Sequence, residues 1–136
     1  MTRFAVDAPT ALRLIREGTV LDPQHQLVAP ASIRSQVMSM LYREMREGRL
    51  DERDARDQLT GLAELKIRLL GDRVSRSTAW KIAVQLDWSD IGDAEYLAVA
   101  TLQADLLVTE DAGLRAAANG IVAVGAWADL VNGLGD

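Results

Sequence analysis

The sequence predicts a three-layer α/β/α sandwich in which a mainly parallel sheet of four to five strands lies between helices. Short apolar runs alternate along the chain with longer segments of helical periodicity, and this alternation is typical of parallel sheets covered on both faces. Two runs, Phe4–Val6 and Leu106–Val108, are wholly apolar, as expected of buried strands. A chain of 136 residues is expected to form one domain, residues 1–136.

The first half of the chain contains three predicted strands and three predicted helices. Pro9 falls near the start of the first helix, where proline is tolerated. In the second helix, apolar residues recur at helical intervals from Ile33 to Met45, which indicates a buried face. The predicted elements are strands at Arg3–Val6, Gln26–Ala29 and Ile67–Leu70, and helices at Ala8–Glu17, from Pro30 to about Gly48, and from Asp51 to about Lys66.

The second half is predicted to add two strands and four helices. Ser75 or Ser77 is expected to cap the first of these helices, because serine oxygens accept hydrogen bonds from free N–H groups at helix starts. The predicted elements are helices that carry Ala79–Leu86 and Leu97–Ala104, a strand at Leu106–Val108, a small helix at Ala112–Ala118, a strand at Ile121–Val124 and a final helical turn at Trp127–Leu130.

The composition excludes several kinds of site. The chain has no cysteine, which excludes disulfides, thiolate zinc sites and cysteine nucleophiles. Its one histidine, His25, rules out a multi-histidine metal site. No secretory signal is visible, because Asp7 interrupts the N-terminal apolar run. The longest uncharged run, Ala116 to Ala128, is shorter than the roughly 18 residues of a membrane span, so we expect a soluble, cytoplasmic protein.

Charge is unevenly distributed along the chain. Residues 31–86 carry eleven basic and eight acidic residues, whereas residues 87–136 carry one basic and nine acidic residues. A metal site beside a phosphate-binding surface would produce this contrast, and so would ordinary solvated faces. Arg34, Arg43 and Arg73 are candidates for binding phosphates, although Arg43 also suits the outward face of its helix.

Polar residues follow two of the predicted strands. Asp7 comes directly after the first strand, and Thr109 and Asp111 follow Leu106–Val108. Ligands of open α/β sheets bind beyond the carboxyl ends of the strands, so we expect these side chains to lie near one another. Taken alone, Asp7 is better explained as a cap for the helix that follows it.

A third acid, Asp93, lies four residues before Leu97 and so falls on the buried face of its helix, in the first turn. The alternative is structural, because Asp90 followed three residues later by Asp93 resembles a capping box. A group of carboxylates suits Mg²⁺, which prefers oxygen ligands and keeps several waters. Such a cation can orient water and stabilise the leaving oxygen in phosphodiester cleavage.

Gln36 lies three residues after Ile33 and therefore joins the apolar stripe of the second helix, near its start. A polar side chain that faces inward needs a hydrogen-bond partner. Gln36 is therefore either a satisfied buried amide or a group that reaches toward the edge of the sheet.

Four segments carry a resemblance that spans nearly the whole chain: Phe4–Asp7, Val28–Val37, Asp93–Ala100 and Leu107–Leu114. On these segments the chain resembles the PIN-domain family, and within it the VapC-type toxins of bacterial toxin–antitoxin pairs. The last two segments, at their spacing, are fairly specific for the family, whereas the first alone is weak.

The resemblance implies a PIN-like fold and metal-dependent endonucleolytic cleavage of RNA. It assigns metal-site positions to Asp7, Asp93 and Asp111, with Mg²⁺ or Mn²⁺ as the cofactor, and a supporting hydroxyl to Thr109. It also implies a homodimer and a small antitoxin protein whose C-terminal segment occupies the active-site groove.

Two positions depart from the family pattern. Gln36 stands where the family usually carries a glutamate, which removes one negative charge from the site, and Pro9 stands where a small hydroxyl residue is common. An amide can still coordinate a cation or orient a water, and Glu95 or Glu110 could replace the lost charge. The alternative hypothesis is a PIN-like module that binds RNA or a protein without cutting.

Other phosphate chemistries fit the sequence less well. A response-regulator receiver domain needs paired early acids and a late lysine, but Asp7 has no acidic neighbour and no lysine follows Lys81. A haloacid-dehalogenase-type phosphatase needs a second acid where this chain has Pro9. Neither a GxGxxG motif nor a P-loop is present.

Overall fold

The computed structural model describes residues 1–132 and contains, within them, five strands and seven helices. In chain order these are β1 (Arg3–Val6), α1 (Ala8–Glu17), β2 (Gln26–Pro30), α2 (Ile33–Arg46), α3 (Glu52–Glu64), β3 (Arg68–Leu70), α4 (Arg73–Gln85), α5 (Gly92–Gln103), β4 (Leu106–Val108), α6 (Ala112–Ala118), β5 (Val124–Gly125) and α7 (Trp127–Asn132).

The strands form one parallel sheet in the order β3-β2-β1-β4-β5, which confirms the predicted fold class. β1 lies at the centre, with Phe4 paired to Leu27 of β2 on one side and to Leu106 of β4 on the other. The chain moves outward in one direction from β1 to β3 and then returns to the other side of β1. The order therefore reverses between β1 and β4, where open α/β sheets form their ligand crevice.

The helices cover both faces of the sheet. Right-handed crossovers place helices on opposite faces when the chain moves in opposite directions along the sheet. Accordingly α1, α2 and α3 pack against one another, while α5 packs on β1, β2 and β4 and pairs with α4. Phe4, Ile33 and Leu97 are fully buried in the core, and burial of each such side chain contributes about 1.5–3 kcal/mol to stability.

Three predicted boundaries are corrected by the structure. The first is the start of α2, which begins at Ile33 and not at Pro30. Pro30 is the last residue of β2 and pairs with Leu70, and the Ala31 N–H donates to the Leu70 carbonyl at 2.9 Å. Pairing with β3 therefore keeps the chain extended through Pro30.

The second correction concerns the start of α4, which neither Ser75 nor Ser77 caps. The helix begins at Arg73, and the Asp72 Oδ1 accepts the Ser75 N–H at 2.9 Å. Hydrogen bonds from Ser75 lower the pKa of the Asp72 carboxyl. The buried Ser75 hydroxyl donates to the Asp72 carbonyl at 3.0 Å. Ser75 therefore contributes a hydrogen bond within the first turn of α4 and is not its cap.

The third correction moves β5 from Ile121–Val124 to Val124–Gly125. The N–H groups of Ile121 and Val122 both donate to the Ala118 carbonyl, at 2.8 and 3.0 Å. Gly120, with φ of 82°, makes this reversal possible. The chain is therefore still closing α6 at Ile121 and becomes extended only afterwards.

The remaining elements agree with the predictions to within a few residues at their ends. Ala8–Glu17 and Ala112–Ala118 form helices at the predicted bounds, and Leu106–Val108 forms the predicted strand. Among residues 1–132, no helix is both long and apolar enough to cross a membrane.

Candidate active site

Asp7 and Thr109 are adjacent because β1 and β4 pair in parallel with Val6 opposite Val108. The Thr109 hydroxyl donates to Asp7 Oδ2 at 2.5 Å, and Asp7 Oδ1 accepts the Thr10 N–H at 3.0 Å. Asp7 therefore caps α1, as the structural alternative expected, and also lies at the sheet edge beside a residue from the distant strand. Both side chains are buried.

Thr109 is held from two directions. Its hydroxyl oxygen accepts a hydrogen bond from the Asp111 N–H at 3.1 Å, while the hydroxyl donates a hydrogen bond to Asp7. One guanidinium nitrogen of Arg115 donates to the Thr109 carbonyl at 2.7 Å and to the Gly125 carbonyl at 3.0 Å. Sequence reasoning missed this role of Arg115, although its position as the single base in residues 87–136 is a signal that could have found it.

Asp111 follows Thr109 and caps α6, since its Oδ1 accepts the Leu114 N–H at 2.8 Å. The side chain is exposed. Each carboxylate oxygen has two lone pairs, so the cap bond leaves most of the acceptor capacity of Asp111 free. A helix-cap role and a ligand-binding role are therefore compatible in this residue.

Asp93 lies in the first turn of α5 but does not form the capping box that the sequence allowed. The N-cap of α5 is Ile91, and no side chain makes a cap hydrogen bond there. Within residues 1–132 the Asp93 carboxylate makes no hydrogen bond or ion pair. Asp93, the second residue of α5, is exposed, so the prediction that it lies on the buried face of its helix is wrong.

The electrostatic environment of Asp93 is unfavourable for its charged form. Although the residue is exposed overall, partial burial raises the pKa of its carboxyl, and the negative charges of Asp111, Asp90 and Asp7 raise it further. No basic side chain counters them in an ion pair within the described part of the chain. These acids therefore repel one another, a cost that a bound cation would relieve.

Gln36 combines parts of the two alternatives that the sequence left open, because its oxygen has a hydrogen-bond partner and its side chain reaches the edge of the sheet. It is half-buried, and its Oε1 accepts a hydrogen bond from the hydroxyl of Tyr96 on α5. Burial raises the pKa of the Tyr96 phenol above its ordinary value, as do the charges of Asp7, Glu95 and Asp93. Sequence reasoning missed Tyr96, although it lies three residues after Asp93 and so on the same side of the helix.

Several of these residues line a single cavity of about 400 Å³ at the edge of the sheet where the strands end. Asp7, Asp93 and Asp111 border it from β1, α5 and α6, and α2 forms the facing wall. The side chains that line this cavity are Asp7, Ala8, Pro9, Ser35, Gln36, Ser39, Met40, Arg43, Asp93, Tyr96, Asp111 and Leu114.

Other residues considered from the sequence lie elsewhere. Arg43 lines the cavity, but Arg34 borders a separate cavity of about 310 Å³ between α2, α3 and β3, and Arg73 starts α4. Neither glutamate lines the cavity. Glu95 accepts the Ser32 hydroxyl at 2.5 Å and Glu110 accepts the Trp127 N–H at 3.0 Å, so neither replaces the charge missing at Gln36.

The donor set suits a hard divalent cation. Within residues 1–132, no group of three or more histidine, cysteine, aspartate or glutamate side chains is close enough together to hold a metal ion by itself. Mg²⁺ does not need such a cage, because it keeps several waters and binds through one or two carboxylates together with substrate phosphate. The oxygen atoms of Asp7, Asp93 and Asp111 and the uncompensated charge around Asp93 fit that mode of binding.

Two solved structures share the fold over most of the chain. PAE2754 from Pyrobaculum aerophilum is 24% identical, with a TM-score of 0.71 over 90% of this chain and 89% of that chain. VapBC2 from Rickettsia felis, bound to a DNA fragment from its promoter, is 8% identical, with a TM-score of 0.64 over 92% and 98%. The expected PIN-like fold is thereby confirmed. No protein-family model and no curated protein sequence matches the chain.

Proposed function

We propose that this protein is a metal-dependent endoribonuclease and the toxin of a VapBC-like toxin–antitoxin pair. One observation carries the proposal: Asp7, Asp93 and Asp111, which come from three distant segments, border a single cavity where the strand order reverses. Carboxylates that repel one another at a ligand crevice cost stability, and this arrangement is expected where the protein binds a cation.

The chain's own residues would divide the chemistry between them. Asp7, Asp93 and Asp111 would hold Mg²⁺ or Mn²⁺, which when bound would orient the attacking water and stabilise charge on the leaving oxygen. Thr109 holds the Asp7 carboxylate in one orientation through its 2.5 Å hydrogen bond. Arg43, on the facing wall, would pair with a phosphate of the RNA, since a guanidinium matches phosphate geometry.

The partners follow from the same proposal. The RNA substrate would enter the cavity at the sheet edge, and a small antitoxin would block it. The likeness to VapBC2, a structure that holds promoter DNA, supports an antitoxin partner for this chain. We also propose that the protein acts as a homodimer in the cytoplasm.

A second candidate function is a PIN-like module that binds RNA or protein without cutting it. Gln36 favours this alternative, because its oxygen is already engaged by the Tyr96 hydroxyl and the site lacks a fourth carboxylate. The two candidates predict different results when Mn²⁺ or Mg²⁺ is added to bound RNA, because a nuclease cleaves the RNA and a binding module leaves it intact.

The decisive experiment incubates purified protein with a panel of structured RNAs and Mg²⁺ or Mn²⁺, and follows cleavage on denaturing gels. We expect metal-dependent cuts that EDTA abolishes. Asp7→Asn should reduce the rate by about 100-fold or more, since it removes a charge that holds the cation. Asparagine also caps helices well, so this variant should keep the fold.

Asp51→Asn is the matched control. Asp51 caps α3 by accepting the Asp54 N–H at 2.7 Å, as Asp7 caps α1, but it lies away from the cavity. This variant should cut RNA at the wild-type rate. If the wild type cuts nothing with either metal while Gln36→Glu does, the binding module is the correct function.

A further inference from the structure

The cavity at the sheet edge has two chemically different walls. One carries Asp7, Asp93 and Asp111. The other is formed by α2 and presents the polar side chains of Ser35, Gln36, Ser39 and Arg43, with no acid among them.

These α2 residues repeat along one side of the helix. Ser35, Ser39 and Arg43 are each four residues apart, which corresponds to steps of about 6 Å along the axis. All three are exposed, and Arg43 forms no ion pair within residues 1–132. The α2 wall is therefore a row of hydrogen-bond donors that faces the carboxylates, which can only accept.

The Tyr96 hydroxyl fixes the orientation of the Gln36 amide. Tyr96 is 3% exposed, and its hydroxyl donates a hydrogen bond to Gln36 Oε1. The opposite orientation would turn the amide nitrogen, which accepts no hydrogen bond, toward the phenol, and the hydroxyl proton would lose the acceptor that it has in this structure. The Gln36 oxygen therefore faces Tyr96, and its two N–H bonds are left for another partner.

We propose that Gln36 donates a hydrogen bond to a phosphodiester oxygen of the bound nucleic acid and does not coordinate the cation, with Tyr96 as the residue that positions it. This inference rests on the proposed nuclease function of the same site. A phosphodiester carries a negative charge and meets three carboxylates in this cavity. It needs donors on the facing wall, and a glutamate at position 36 would repel it.

Two binding measurements on the full chain test the assignment. The first titrates Mn²⁺ alone into the protein by calorimetry. The second follows, by fluorescence anisotropy with saturating Mn²⁺, a labelled 2′-O-methyl RNA of mixed sequence and about ten nucleotides.

Gln36→Met keeps the size of the side chain and removes its donors. It should weaken oligonucleotide binding about tenfold, as expected for one hydrogen bond to a charged group, and leave Mn²⁺ affinity unchanged. Gln36→Glu should weaken oligonucleotide binding and tighten Mn²⁺ binding. Gln85→Met, at the exposed end of α4, should change neither.

Tyr96→Phe tests the positioning role. Without the hydroxyl the amide can turn over, so oligonucleotide affinity should fall about threefold, by less than in Gln36→Met, with Mn²⁺ affinity again unchanged. Tyr42→Phe, at an exposed tyrosine of the same α2 helix, is the matched control. A thermal melt establishes whether each variant is folded. If Tyr96→Phe does not fold, the Gln36→Met measurement still tests the assignment of Gln36.

Two outcomes overturn the proposal. If Gln36→Met weakens Mn²⁺ binding as much as Asp7→Asn does, Gln36 is a cation ligand. If it leaves oligonucleotide affinity unchanged, the amide does not bind the phosphate. Failure of the nuclease function has a different signature, namely no cleavage of unmodified RNA and no effect of Asp7→Asn on Mn²⁺ affinity.

Discussion

The sheet has an amino edge, where its parallel strands begin, and a carboxyl edge, where they end, and the aspartates at these two edges have different environments. At the amino edge, Asp105 Oδ2 accepts the Arg3 N–H at 2.8 Å, and the Asp105 N–H donates to the Arg3 carbonyl at 2.8 Å. This carboxylate joins the starts of the two central strands. At the carboxyl edge, Asp93 has no hydrogen-bond partner within residues 1–132, and Asp7 and Asp111 retain free lone pairs.

The difference teaches that the residue type alone does not mark a functional carboxylate. What distinguishes the carboxyl edge is that several carboxylates of the same charge gather around one cavity. Those charges contribute to the raised pKa of Asp93, whereas Asp105 bonds to the backbone of a single neighbour. Three substitutions test this contrast between the edges.

Thr109→Val should have the largest effect. The hydroxyl is fully buried, donates to Asp7 and accepts from the Asp111 backbone, so its removal leaves the buried Asp7 carboxylate and the Asp111 N–H each short of a partner. We expect a loss of about 2 kcal/mol in the free energy of unfolding, measured by urea denaturation. RNA cleavage should fall about tenfold or more, because Asp7 loses its orientation.

Thr101→Val is the control for this change. The Thr101 hydroxyl donates to the Leu97 carbonyl within α5, and the residue is exposed. Its replacement should alter stability by less than about 0.5 kcal/mol. Equal effects at the two threonines would mean that the carboxyl edge is no more constrained than the helix surface.

Asp105→Ala should have an intermediate effect confined to stability. The change removes one hydrogen bond that joins β4 to the start of β1, at a cost of about 1 kcal/mol. The RNA cleavage rate of the folded protein should equal that of the wild type, because the amino edge lies at the far end of the strands. A loss of activity without a loss of stability would contradict the division between the edges.

Asp93→Asn should have the smallest effect on stability, and of opposite sign. A carboxyl whose pKa is raised on folding destabilises the fold when it is ionised. In EDTA the variant should therefore be slightly more stable than the wild type at neutral pH. The gain should be complete above the raised pKa of Asp93 and vanish as the pH falls below about 4, the ordinary pKa of aspartate. Urea denaturation at several pH values measures it, and a constant gain at every pH would contradict the repulsion.

Local patterns predicted most of the fold. The brief apolar runs at Phe4–Val6 and Leu106–Val108 form the central strands, and the helical periodicity of residues 33–45 forms α2. The boundaries that failed depended on long-range pairing or on turn closure. Pro30 stays extended because it pairs with Leu70, a contact that local propensity does not contain.

For the candidate site, the sequence indicated which residues to examine but not how each is bonded. Asp7, Asp93 and Asp111 stood out as acids at strand ends and a helix start, and all three line one cavity. Tyr96 and Arg115 did not stand out, because their roles consist of contacts with Gln36 and with the Thr109 carbonyl, residues of other segments.

The sequence by itself determined the α/β class, the parallel sheet and the exclusion of thiolate metal sites, because periodicity and composition do not depend on contacts between distant segments. Only the tertiary structure decided that Asp105 is engaged by a backbone N–H while Asp93 is not, and that the Gln36 oxygen faces Tyr96. These outcomes depend on contacts between atoms of distant segments, and the strand order and register determine which contacts form.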